Sequence, residues 1–165
     1  MSDPQPPESG RLLAVDLGDV RIGLAVSDDG QTVATPGTTL EVADILGARL
    51  SEDGRGSSTT SDEELALLAS AIARHAAERG AVGFVVGYPR RLDGREGSAG
   101  RRARRLAELL EQHSGHATVL WDERLSSVEA ERTMLAQDAS RSERREATDR
   151  VAATLILQGY LDSRR

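Results

Sequence analysis

Apolar residues fall in short runs at the start of the chain and at helical spacing further on, with turn residues between them. Residues 11–17, RLLAVDL, and 20–27, VRIGLAVS, read as strands, and Gly18-Asp19 between them predicts a hairpin. After the turn at Asp28-Asp29-Gly30, a weaker extended stretch runs from about Thr32 to Leu40, broken by Pro36-Gly37. Residues 48–61 carry little apolar content and predict a flexible loop. Ser61 and Glu64 have capping-box spacing, and Leu65, Leu68, Ile72 and Ala76 follow with helical period up to Gly80. Residues 81–87, AVGFVVG, form a continuous apolar run, as expected of a strand covered on both faces. A loop over Gly94 to Gly100 leads into a helix from about Ser98 to His113, with Ala99, Ala103, Leu106 and Leu110 as its buried stripe. Residues 117–122, ATVLWD, predict a last strand. Ser126 with Glu129, and Ser140 with Glu143, predict the starts of two helices, the second reaching Tyr160 or Leu161. The order βββαβαβα indicates an α/β fold, a mixed sheet with helices packed on it.

A chain of 165 residues is the size of one domain, expected over 11–162 behind a flexible, Pro- and acid-rich tail at 1–10. The tail has no apolar segment and does not read as a secretory signal. No stretch approaches a membrane span, so no membrane partner is expected. There is no cysteine, which excludes disulfides, thiolate nucleophiles and cysteine metal ligands and favours a cytoplasmic setting. All 21 basic residues are arginine, which excludes lysine Schiff-base chemistry and a Walker lysine. The net charge of −6 argues against indiscriminate polyanion binding. Yet Arg90, Arg91, Arg95, Arg101, Arg102, Arg104 and Arg105 face only Asp93 and Glu96 within the same stretch, a local basic patch suited to a phosphate backbone. Its ordinary explanation is a solvated helix face.

Three acidic positions fit solubility poorly. Asp16 interrupts the apolar strand Leu12 to Leu17, where an unpartnered buried charge is costly. Asp149 has Ala152, Ala153, Ile156 and Tyr160 as helical neighbours, so it lies on or beside the packing face. Asp122-Glu123 directly follows the last strand. Each has an ordinary alternative: Asp16 begins a turn, Asp149 pairs with Arg145 or Arg150, and Asp122-Glu123 is a charged strand end. Together they can meet at one sheet edge. An oxygen-only ligand set there suits Mg²⁺ or Mn²⁺, and two such ions support phosphodiester hydrolysis. His113 and His116 flank Ser114-Gly115 and read as a surface helix end.

The segments AVDLGDVRIGLAVSD (14–28), VVGYPRRLDG (85–94), WDERLSSVEAE (121–131) and DRVAATLILQGYL (149–161) resemble, in order, the YqgF family, also called RuvX. It is similar to RuvC-type Holliday-junction resolvases within the RNase H-like superfamily. The resemblance spans Arg11 to Leu161 and implies an RNase H-like fold and a metal-dependent nuclease that processes the 5′ end of precursor 16S rRNA. The same resemblance implies that Asp16, Glu123 and Asp149 ligate the metal and are catalytic, with Asp122 as a further ligand or supporting residue. Arg124, of the family's DER motif, then joins Arg90, Arg91, Arg95, Arg101, Arg104 and Arg105 in positioning phosphates. Resolvases carry a glutamate near the end of the fourth strand, where this chain has Gly87-Tyr88-Pro89, so the middle carboxylate must come from Asp122 or Glu123. The loop at 48–61 is longer than is usual for the family. Two other readings compete: a resolvase acting on branched DNA, for which a homodimer and not a monomer is expected, and a non-catalytic RNA-binding or transcription-associated factor. The aromatics are only Phe84, Tyr88, Trp121 and Tyr160, which favours recognition by backbone shape and charge. Asp16, Gly18 and Gly23 also resemble the phosphate hairpin of actin-like ATPases, but those enclose a nucleotide between two domains and this length supplies one.

Overall fold

The computed structural model of the chain describes residues 4–47, 61–125 and 141–165. Its strands are β1 (Arg11–Leu17), β2 (Arg21–Ser27), β3 (Ala34–Glu41), β4 (Ala81–Tyr88) and β5 (Thr118–Asp122). They form one sheet in the order β3-β2-β1-β4-β5. β1 pairs antiparallel with β2 and parallel with β4, and β5 lies parallel to β4, so β1, β4 and β5 all end at one edge. The β1–β2 hairpin closes through Gly18, whose N–H donates to the Arg21 carbonyl at 3.0 Å. A Cβ at Gly18 would lie 2.5 Å from that same oxygen, so the turn requires glycine. β3 is continuous through Pro36-Gly37, but its register against β2 shifts there, between Gly23 and Ala25.

Helices cover both faces. α1 (Val42–Leu46), α2 (Asp62–Glu78) and α3 (Ser98–Ser114) lie on one side, and α4 (Arg141–Ser163) on the other. The period of two divides each strand between two cores. Leu13, Val15, Phe84 and Val86 pack with Leu68, Ile72, Leu106 and Leu110, whereas Leu12, Ala14 and Val85 pack with Ala153, Ile156, Leu157 and Tyr160. β4, buried along nearly its whole length, owes its unbroken apolar run to this double cover. Among the described residues no helix is long and apolar enough to cross a membrane.

Ser61 caps α2 with the reciprocal box: its side chain accepts from the Glu64 N–H, and Glu64 returns a bond to the Ser61 N–H. α3 begins and ends within a residue of expectation, but Ala99 is exposed and Gly100 is buried in its place, because the first turn packs under Pro89 and Tyr88. α1 is an element the apolar pattern did not announce. Its five residues are too few to establish a period. Residues 4–10 differ from the expected flexible tail. Pro6 is buried where Gly83 has no side chain, and Gln31 Nε2 donates to the Pro7 and Gly10 carbonyls at 2.8 and 2.9 Å. The loop expected at 48–61, apart from Ser61, lies outside the described residues, as do the helix expected from Ser126 and the Ser140 cap.

Candidate functional site

Asp16 stands next to last in β1, on the face that α4 covers, because it alternates with Leu12 and Ala14. Its antiparallel partner is Gly23. The β1–β4 pairing runs Leu13–Phe84, Ala14–Val85 and Val15–Val86, and one further step sets Asp16 beside Gly87. The half-buried Asp16 is therefore flanked on its own face by two residues that have no side chain.

Each vacancy is filled by a carboxylate residue from another element. A Cβ at Gly23 would overlap the Asp149 carbonyl oxygen and stand 3.4 Å from the Asp149 Cβ. Opposed Cβ positions in an antiparallel pair are ~4.5–5.5 Å apart, so Asp149 Cβ lies within about 9 Å of Asp16 Cβ. A Cβ at Gly87 would stand 2.7 Å from Glu123 Oε1 and 2.6 Å from Ile156 Cδ1. With strands ~4.8 Å apart, the Glu123 carboxylate sits within about 8 Å of Asp16 Cβ. Asp16, Glu123 and Asp149 thus share one face and one edge of the sheet, and all three are half-buried. Among the described residues no three histidine, aspartate or glutamate side chains are gathered tightly enough to hold a metal ion as they stand. The donors that converge are all carboxylates, the set a hard divalent cation takes, so the fit to Mg²⁺ or Mn²⁺ is one of donor type and placement.

Asp122 faces the other way. It pairs in register with Tyr88, on the α3 side. Its Oδ2 accepts from Arg124 Nη2 at 2.7 Å, its Oδ1 accepts from Arg124 Nε and N–H at 3.1 and 3.0 Å, and Arg90 Nε stands 3.9 Å from Oδ2. The Arg124 guanidinium, with a lesser contribution from Arg90, holds the Asp122 carboxyl below the usual carboxylate range. The short 3₁₀ turn Glu123–Leu125 makes this fork, folding Arg124 back onto Asp122.

The basic patch divides. Arg105 is bonded to Asp62 at 2.9 Å and to Glu108 at 2.9 Å, Arg102 to Asp19, and Arg104 to Glu96 at 2.9 Å. These three tie α3 to α2, to the β1–β2 turn and to the segment after β4. Glu96, which accepts from Tyr88 and Arg104, is held below its ordinary pKa by both. Arg90, Arg91, Arg95 and Arg101 remain exposed at the edge where β4 ends and α3 begins.

Sequence reasoning missed two features. Gly23 and Gly87 were not recognised as the gaps that admit Asp149 and Glu123, although a glycine inside an apolar strand signals close approach. The segment after β4 is a β-hairpin and not an irregular loop, with an antiparallel bridge between Arg90 and Glu96. The sequence Leu92-Asp93-Gly94 carried that signal. His113 and His116 are both exposed, as expected.

Comparisons with known proteins extend over most of the chain. The RuvX family model, described as Holliday junction resolvase, matches residues 46–163. A protein of Cereibacter sphaeroides named "Putative pre-16S rRNA nuclease" is 40% identical over 156 residues, 94% of this chain and 85% of its own length. One of the same name from Symbiobacterium thermophilum is 39% identical over 93% of each chain. Among solved structures, T. thermophilus RuvC in complex with a Holliday junction superposes with a TM-score of 0.54 at 10% identity, covering 93% of this chain and 95% of that one. At that identity the likeness establishes the fold, an RNase H-like mixed sheet. The family match, the relatives and the fold agree with the resemblance read from the four segments: the chain belongs to the RuvX family.

Proposed function

We propose that the protein is a divalent-metal-dependent nuclease that hydrolyses nucleic-acid phosphodiesters at the Asp16 edge of the sheet, and that its substrate is precursor 16S rRNA, processed at the 5′ end. One observation carries the reading: Asp16 lies between two side-chain gaps, and Glu123 and Asp149 enter one gap each. The names of its relatives support the substrate.

Asp16, Glu123 and Asp149 are the residues that would hold Mg²⁺ or Mn²⁺, with Asp16 central. Bound there, a pair of such ions would supply activation of a water and charge stabilisation for the departing oxygen. The chain's own contribution is orientation and charge. α4 packs on the sheet face that carries Asp16, and Glu123 approaches that face over Gly87 from the turn after β5. Asp122 takes up one edge of the Arg124 guanidinium and fixes its plane. Arg carries five N–H donors, more than one carboxylate uses, so Arg124 can also hold a phosphate oxygen. Asp122 is thereby a positioning residue and not a ligand. Arg90, stacked over the Tyr88 ring at 5.6 Å, extends the cationic track toward Arg91, Arg95 and Arg101.

The family's description favours a second reading, cleavage of branched DNA. One experiment separates the two. The wild-type protein and Asp16→Asn are incubated with precursor rRNA, single-stranded RNA and four-way DNA junctions, with Mn²⁺, Mg²⁺ or chelator. The expected result is metal-dependent RNA cleavage that Asp16→Asn lowers at least a thousandfold. Symmetric cutting of the junction with RNA left intact would transfer the proposal to branched DNA. Binding without turnover under every ion would replace the enzyme by a binding factor.

A further inference from the structure

Five large apolar side chains are exposed among the described residues: Val20, Val33, Leu67, Leu92 and Leu125. Val20, Leu92 and Leu125 follow the ends of β1, β4 and β5, at the edge that holds Asp16 and Glu123. A lone exposed leucine is ordinary. Leu92 stands apart because it is 103% exposed and yet sits on a segment that is tightly held.

The segment is a finger. Arg90 and Glu96 form an antiparallel bridge, Arg91 N–H donates to the Arg95 carbonyl at 3.2 Å, and Gly94 N–H to the Arg91 carbonyl at 2.9 Å. Gly94 has φ +79°, so Leu92-Asp93-Gly94 is a three-residue hairpin loop with glycine at the left-handed position. Asp93 Oδ1 accepts from the Arg95 N–H at 3.0 Å and stiffens the tip. At the base, Glu96 Oε1 accepts from Tyr88 Oη at 2.8 Å and from Arg104 Nε at 2.9 Å. The guanidinium groups of Arg104 and Arg90 stand 5.4 and 5.6 Å from the Tyr88 ring. None of these contacts involves the Leu92 side chain. They fix the backbone that carries it.

We propose that this finger is a wedge: Leu92 inserts between neighbouring bases of an unpaired strand, while Arg91 and Arg95 on either side of the tip hold the flanking phosphates. An apolar tip on a stiff mount loses little entropy on insertion, and apolar side chains of this kind unstack base steps. The local charge fits a polyanion although the chain carries −6 overall: Arg91 Nε stands 3.8 Å from Asp93 Oδ2, but the two exposed arginines outnumber that one carboxylate at the tip. The substrate class that follows is nucleic acid with separable bases next to the scissile step, as opposed to continuous duplex. The inference deepens the nuclease reading and rests on it for the identity of the ligand.

The test uses the full chain in chelator, so that nothing is cut. The probes are single-stranded RNA and DNA oligonucleotides with one 2-aminopurine, moved along the sequence, and their duplex forms. Wild type is expected to bind the single strands and raise 2-aminopurine fluorescence at one position. Leu92→Ser should abolish that rise and weaken single-strand binding roughly tenfold, on the scale of one buried leucine. It should leave duplex binding unchanged, and Leu92→Met should restore the signal. Arg91→Ala and Arg95→Ala should weaken binding without moving the responsive position. Unchanged fluorescence and affinity in Leu92→Ser, or equal loss on duplex, overturns the wedge. Cleavage in Mn²⁺ is scored separately. A wedge signal without turnover refutes the nuclease reading alone, and turnover indifferent to Leu92 with no fluorescence change refutes the wedge alone.

Discussion

Gly23 and Gly87 flank the same aspartate, yet a methyl group added to each meets different neighbours. At Gly87 the atoms in the way are Glu123 Oε1 and Ile156 Cδ1, both at the far ends of flexible side chains. At Gly23 the obstacle is the Asp149 backbone carbonyl, which cannot turn aside without moving α4. Gly87→Ala is therefore expected to fold with a stability loss of about 1 kcal/mol or less, while cleavage falls at least tenfold as Glu123 is displaced. Gly23→Ala should lose ~1–3 kcal/mol or more by overpacking. Urea denaturation of both variants beside a cleavage assay checks the contrast. Equal stability losses would mean that the helix yields at Gly23 as easily as a side chain does at Gly87. These two glycines also explain what could be read beforehand. Asp16 and Asp149 were legible because each is a charge in an apolar pattern. Which of Asp122 and Glu123 joins them was not, because alternation says only that neighbours face apart. The answer needed the position of β5 against β4.

Elements with a local chemical signature were the legible ones. The Ser61–Glu64 box lies within four residues of chain and fixed the start of α2. Ser61→Ala should cost about 1 kcal/mol. α2 packs on the sheet face opposite Asp16, so metal-dependent cleavage should be unchanged at temperatures where the variant is folded. Chemical denaturation and a rate measurement on the same preparation test both parts. α1 had no such signature, and its two buried residues, Val42 and Leu46, give one contact pair and no period. The finger after β4 was hidden for a different reason. Its strands are a residue or two long, so their stability comes from side-chain bonds at the base, between Tyr88, Glu96 and Arg104 of α3, which no local pattern announces. The arginines of α3 looked uniform in sequence. Tertiary partners at Asp19, Asp62 and Glu96 turned three of them into struts.

For the molecule as a whole, two crossovers and a hairpin bring residues 16, 123 and 149 to one edge on a chain that is already net acidic. Grouped carboxylates repel, and a cation that binds only the folded arrangement stabilises it. Mn²⁺ at about a hundred times its dissociation constant should raise the melting temperature of the wild type by roughly 5–10 °C. Asp16→Asn should show a rise of no more than about 2 °C under the same conditions. Differential scanning calorimetry with Mn²⁺, Mg²⁺ and chelator measures it. An equal rise in both proteins would assign the effect to other surface acids. The layered sheet itself was legible as a mixed α/β order. The strap at residues 4–10 was not, because Pro6 is held by an absence at Gly83 that no pattern in the tail reveals.

Among the described residues β5 is bonded to the sheet on one side only, by β4, and its last residue and the first of the turn that follows are two acids that serve opposite layers. Parity is thus built into that strand. Inserting or removing one residue between Thr118 and Asp122 would invert the pair, sending the arginine-holding group toward α4 and the Asp16-facing group toward Tyr88. A change of two would restore both orientations. Length variation along this strand is therefore quantised in even steps, a constraint that neither acid would impose alone.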